Sequence, residues 1–142
     1  MVPTLRARLT RFILDQSAGR MYRNAGQSIP RLRELDKLLI RSQRPPRGTR
    51  IDPVRLDTVS GEWIQGPGAG TKAAILYLHG GAFVTGSPAT HRELAARISA
   101  SAGLRVISPD YRLSPEHPFP AAIQDVLSAY RCLQSQGYPP ST

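Results

Sequence analysis

With 142 residues, 40% of them apolar and 20% charged, the chain has material for one folded domain with a modest core, which excludes disorder throughout. Its net charge of +9 resides in residues 1–50, where 12 Lys and Arg stand against 3 Asp and Glu, whereas residues 51–142 balance at 7 against 7. The single cysteine, Cys132, excludes an internal disulfide and fits a reducing, cytoplasmic setting.

Residues 4–17 place Leu5, Leu9, Phe12 and Ile13 at helical spacing with Arg6, Arg8 and Arg11 between them, which predicts a basic amphipathic helix. A targeting segment and a helix lying on a membrane surface both fit that pattern; a stripe covering a neighbouring pocket is the reading favoured on general grounds. No segment has the length of a membrane span, and the N-terminus lacks the unbroken apolar run of a secretory signal. Nucleic acid is not an expected partner. Only Lys37 and Lys72 among the 19 basic residues are lysines, and neither an aromatic stacking pattern nor a recognition motif accompanies the charge.

A second helix is predicted from Pro30 through Leu32, Leu35, Leu38 and Leu39, stopping before Pro45-Pro46. The pattern then turns to β from Ile51 to Gln65, with a hairpin turn expected at Ser60-Gly61. Residues 66–70, Gly-Pro-Gly-Ala-Gly, read as a connector without chemistry, since they precede a strand where a dinucleotide fingerprint would follow one. The apolar run Ala73–Leu78 is a strand leading into His79-Gly80-Gly81-Ala82-Phe83.

After that loop, Thr90 and Glu93 read as a capping box opening a helix with Leu94, Ala95, Ile98 and Ala102 on its apolar face and Gly103 at its end. Leu104–Ser108 is the next strand and 115–120 a rigid proline-rich loop. A last helix from Pro120 to about Gly137 is expected to bury Ile123, Val126, Leu127, Tyr130 and Leu133. Hairpin, strand, helix, strand, helix is the order of an α/β fold with a parallel sheet. No internal repeat is visible. The expected organisation is a helical, basic segment over 1–50 followed by an α/β portion over 51–142.

The glycine loop carries the chemistry. Adjacent glycines after a buried strand let the backbone turn sharply and present N–H groups without a Cβ in the way, as an oxyanion site requires. His79-Gly-Gly-Ala-Phe83, followed by Ser108-Pro-Asp-Tyr-Arg-Leu-Ser-Pro-Glu-His-Pro-Phe-Pro-Ala-Ala122, resembles the hormone-sensitive-lipase branch of the α/β-hydrolases over roughly residues 50–142. The N-terminal helices resemble that family's cap.

The resemblance implies a serine carboxylesterase or lipase acting on a small ester through a Ser, acid, His triad, with no cofactor. It implies that Gly80 and Gly81 supply oxyanion amides, that His79 and Ala82 support the loop, and that Asp110, Arg112 and Glu116 form a scaffold network after the fourth strand. Ala82 stands where a third glycine is common, a mild departure on the expectation that this position does not need positive φ. No serine here has Gly-x-Ser-x-Gly context, and no triad member is identified. His91 and His117 read as structural, and three scattered histidines with one cysteine match no metal spacing.

Three functions are therefore weighed. The favoured one is the N-terminal part of a serine ester hydrolase, inactive alone. The others are a non-catalytic binding protein that kept half the fold, and a half that assembles with a separate C-terminal half in trans. The family strand order would leave the strand ending at Leu78 as an exposed apolar edge, so the isolated chain is expected to be poorly soluble or incompletely folded.

Overall fold

The computed structural model describes residues 28–140. The basic helix expected over residues 4–17 lies outside them. The elements are α1 (Ile29–Ser42), β1 (Arg50–Leu56), β2 (Val59–Gln65), β3 (Gly70–Leu76), α2 (Pro88–Ala102), β4 (Leu104–Pro109) and α3 (Ala121–Ser135). From Asp36 onward they build one compact unit.

The four strands form a mixed sheet in the order β1-β2-β4-β3. β1 and β2 are an antiparallel hairpin, β2 runs antiparallel to β4, and β3 runs parallel to β4, with α2 as the crossover. The hairpin turns at Asp57-Thr58, not at Ser60-Gly61, because Leu56 pairs with Val59. Asp57 takes the positive φ (57°) that a two-residue turn demands, and Asp tolerates it well. Gly61 instead lies inside β2, where a Cβ would sit 2.7 Å from the Ser108 carbonyl.

Alternation along β4 divides the core between the two faces of the sheet. Val106 joins Ile64, Ala95 and Ala96 beneath α2; Ile107 joins Leu56, Ala129 and Leu133 beneath α3. The α2 face is rotated from the expected one: Leu94 is half exposed, while Ala95, Ala96 and Ser99 are buried. Small residues are needed because the Gly66 backbone abuts this helix, so closely that a Cβ there would lie 2.5 Å from the Ala96 carbonyl. Ser99 completes the contact by accepting from Gly66 N–H (2.8 Å) and donating to the Leu104 carbonyl (2.7 Å).

The start of α2 also differs from the sequence expectation. Ser87 is the N-cap, Pro88 follows in the first turn, and Thr90 closes the capping box by returning its hydroxyl to Ser87 N–H (3.0 Å). Glu93 does other work, accepting from Arg44 N–H and from Arg97, both at 2.9 Å. On α3, Ala121, Ala122, Asp125, Ala129 and Leu133 are buried, whereas Ile123, Leu127 and Tyr130 remain at least a third exposed. Of the expected apolar stripe only Leu133 reaches the core beneath the sheet, while Ile123, Leu127 and Tyr130 stay at the surface. β3 forms one edge of the sheet and, with Tyr130 of α3, lines a surface groove.

Candidate active site

The glycine loop leaves the C-terminal end of β3, where open α/β sheets hold their ligands. Its geometry follows from where three successive carbonyls are tied. The His79 carbonyl accepts the Tyr111 hydroxyl (2.5 Å). The Gly80 carbonyl lies 2.9 Å from His79 Nδ1. The Gly81 carbonyl accepts both Val84 N–H (3.0 Å) and Thr85 N–H (3.1 Å).

In a trans peptide the carbonyl and the following N–H point in opposite directions. Tying carbonyls 79, 80 and 81 to the protein therefore turns the amides of Gly80, Gly81 and Ala82 away from those partners. None of these three amides has an acceptor among the described residues. Consecutive outward N–H groups of this kind form a concavity suited to an anion.

Glycine is required at two points of this arrangement. Gly81 has φ of 128°, and a Cβ on it would stand 2.0 Å from the Thr85 carbonyl. Gly86 has φ of 88°, and a Cβ there would stand 2.2 Å from the Gly80 carbonyl. Gly80 is different: only His91 Nε2, at 3.7 Å, would meet its Cβ, so the scaffold leaves that side of the loop open. Ala82 does adopt positive φ (52°), as does Phe83 (61°), contrary to the sequence expectation. The tight return of the chain onto the Gly81 carbonyl forces both residues into the left-handed region, at about 1–2 kcal/mol each for a side chain with Cβ.

His79 is 4% exposed, and its ring stacks on Tyr111 with centroids 4.1 Å apart and planes 5° from parallel. Burial depresses its pKa below the usual imidazole value, so the neutral ring is favoured. Because the Gly80 carbonyl can only accept, Nδ1 carries the proton and Nε2 the lone pair. That Nε2 is buried without a partner. Burial likewise raises the pKa of Tyr111 and of Asp110, keeping the phenol a proton donor.

The expected network of Asp110, Arg112 and Glu116 is arranged differently. Arg112 binds Asp125 of α3, with NH2 2.8 Å from Oδ1, Nε 2.9 Å from Oδ2, and its backbone N–H also 2.9 Å from Oδ2. Burial alone would raise the Asp125 pKa, but the bonds from Arg112 outweigh it and the net shift is downward. Asp110 lies close enough to His79 to act on its charge, while Glu116 is exposed on the turn that follows. The paired acid comes from the helix rather than the loop because Asp125 projects inward beside Ala122 and Ala129.

Two further residues flank the loop: His91, which the sequence reads as structural, and Asp36, to which the sequence assigns no role. The His91 ring lies 5.8 Å from that of His79, on the open side of Gly80. Asp36 holds Thr85 and Gly86 from α1. Beside the loop lies a cavity of about 400 Å³ lined by residues including Phe83, Val84, His117, Phe119 and Ile123. No cluster that could hold a metal ion occurs among the described residues.

A strand, an amide-presenting glycine loop, a crossover helix and a parallel neighbour are the N-terminal half of an α/β-hydrolase fold, and the comparisons agree. The family model described as alpha/beta hydrolase fold matches residues 75–141. An acetyl-hydrolase of Streptomyces hygroscopicus is 43% identical over 89 residues, covering 63% of this chain and 29% of that protein. An esterase of Acinetobacter venetianus is 42% identical over 91 residues, covering 64% and 30%.

Among solved structures, an esterase from the bacterial hormone-sensitive lipase family superposes with a TM-score of 0.79 at 35% identity, over 99% of this chain and 46% of the other. A hormone-sensitive lipase from a metagenome library gives 0.72 at 32% identity, over 84% and 42%. These matches support a hormone-sensitive-lipase-like α/β-hydrolase as what the chain is similar to. It spans about three tenths of the length of these curated relatives and somewhat under half of these solved chains.

Proposed function

We propose that this chain supplies the oxyanion loop of a serine carboxylesterase, with the amides of Gly80 and Gly81, joined by that of Ala82, receiving the charge that develops on the ester carbonyl oxygen. The observation that carries the reading is the trio of unpartnered amides fixed by three tethered carbonyls. Donors held in place before the reaction need no reorganisation as charge appears, and one such donor is worth roughly 3–4 kcal/mol of barrier. His79 serves here as a neutral brace rather than as the base, since its lone-pair nitrogen, Nε2, is buried and meets no hydroxyl among the described residues.

The serine, acid and base of the triad come from polypeptide other than the residues described, and the chain alone is inactive. The open edge of β3 and the exposed stripe Ile123, Leu127 and Tyr130 support assembly with such a half, in the same polypeptide or in trans. The substrate is an ester with a short or medium acyl group; the cavity of about 400 Å³ beside the loop supports that size. The setting is cytoplasmic, and a membrane surface is a partner open to the basic N-terminal segment.

The test is hydrolysis of p-nitrophenyl acetate by the 142-residue chain, alone and then fused to or mixed with a serine-bearing half from a homologous esterase, with a fluorophosphonate probe as control. Turnover and labelling only in the assembled protein support the reading. Probe-sensitive turnover by the 142-residue chain would overturn it.

A further inference from the structure

We propose that Asp36 is a positioning residue for the glycine loop, latching Thr85 and Gly86 so that the amides of Gly81 and Ala82 stay turned outward; the functional meaning of the latch rests on reading those amides as oxyanion donors. A single carboxylate oxygen, Asp36 Oδ2, accepts from Gly86 N–H (2.8 Å) and from the Thr85 hydroxyl. These partners lie 49 and 50 residues along the chain, and no basic side chain pairs with Asp36 among the described residues.

The two latched residues are the ones that touch the critical carbonyls. Thr85 N–H is bound to the Gly81 carbonyl, whose peptide carries the Ala82 amide. The Gly86 backbone is seated against the Gly80 carbonyl, whose peptide carries the Gly81 amide. A shift of 85–86 therefore rotates both peptides. Thr85 is itself buried, so the latch is partly shielded from competing water. Asp36 also stands near enough to His79 to act on its charge.

Asp36→Asn and Asp36→Ala separate a positioning role from general stability. Both bonds go to one oxygen, so the Asn carbonyl can reproduce them without charge, and Ala cannot. In the 142-residue chain carrying Ala74→Lys to limit pairing at the β3 edge, amide hydrogen exchange is followed by NMR at Val84, Thr85 and Gly86, with Ala95, Ala96 and Val106 as internal controls. The expected result for Asp36→Ala is at least tenfold faster exchange at the three loop amides, with changed chemical shifts at Gly81 and Ala82 and unchanged exchange at the controls. Asp36→Asn is expected to stay within about threefold of the parent, tenfold corresponding to about 1.4 kcal/mol.

Loop exchange unchanged in Asp36→Ala would overturn the latch, as would an Asn variant as perturbed as the Ala one. If Asp36→Ala does not fold, Thr85→Ala, which deletes one of the two bonds, gives the decision on the same amides. These outcomes report the anchorage of the loop, so they stand whether or not the amides prove to bind an oxyanion.

Discussion

Replacing Tyr111 by Phe removes one atom and isolates the tether on the His79 carbonyl. The ring, 6% exposed and stacked on His79, keeps its place, so little apolar burial changes. What is lost is the bond from the hydroxyl to a carbonyl on a buried residue, and a buried acceptor left without a donor costs about 1–3 kcal/mol. For a unit of this size 1 kcal/mol shifts Tm by roughly 4 °C, so the expected fall is roughly 4–12 °C.

Circular dichroism melts and urea titrations at pH 7 measure it, and an unchanged urea m-value would show that the native and unfolded states kept their compactness. Tyr111→Ala, which also empties the ring site, is expected to cost about 3–5 kcal/mol in total. A Tyr111→Phe protein whose Tm lies within about 1 °C of the parent would refute the tether.

Three further outcomes follow from the same geometry. Gly66→Ala drives a Cβ into the α2 backbone and is expected to destabilise by at least about 1–3 kcal/mol in urea titration. Acid should weaken the fold in two stages. The folded-state pKa of His79 is depressed, so the unfolded chain takes up that proton first and stability falls as pH drops below about 6.5; Asp125, also depressed, adds a second loss below about pH 4. Urea midpoints between pH 7 and 5 check the first stage, and His79→Asn should flatten that slope. The bare edge of β3 predicts concentration-dependent self-association of the isolated chain, reduced by Ala74→Lys; a monodisperse parent in sedimentation velocity would contradict it.

The architecture was legible because its signals are local. The run Ala73–Leu78, the paired glycines and the β-branched Val106-Ile107 announce strand, loop and strand without any partner. The boundaries of α2 were legible in part: Gly103 ends it as expected, but the helix starts at Ser87-Pro88, a stronger start signal than Thr90. The faces of α2 and α3 were misjudged for one reason, which is that apolar spacing marks a stripe and does not say what covers it. Leu94, Ile123, Leu127 and Tyr130 satisfy the helical period and still stand exposed.

At the site, Gly81 could be read as indispensable from the motif, but the reason for it, the Thr85 carbonyl, could not. Tyr111 and Asp125 lay within or just beyond the second motif and carried a positional hint. Asp36 carried none, because a contact across 50 residues leaves no trace in local spacing. The expected partnership of Arg112 with Asp110 and Glu116 gave way to Asp125 because a helix can aim a carboxylate inward at a guanidinium more rigidly than a neighbouring loop residue can.

The most direct measurement is a crystal structure of the chain assembled with a serine-bearing half and inactivated by a fluorophosphonate, whose phosphoryl oxygen stands in for the oxyanion of the tetrahedral intermediate. The predicted result places that oxygen about 2.7–3.1 Å from the amide nitrogens of Gly80 and Gly81. A phosphoryl oxygen bound elsewhere, with those amides facing solvent, would contradict the assignment of the loop.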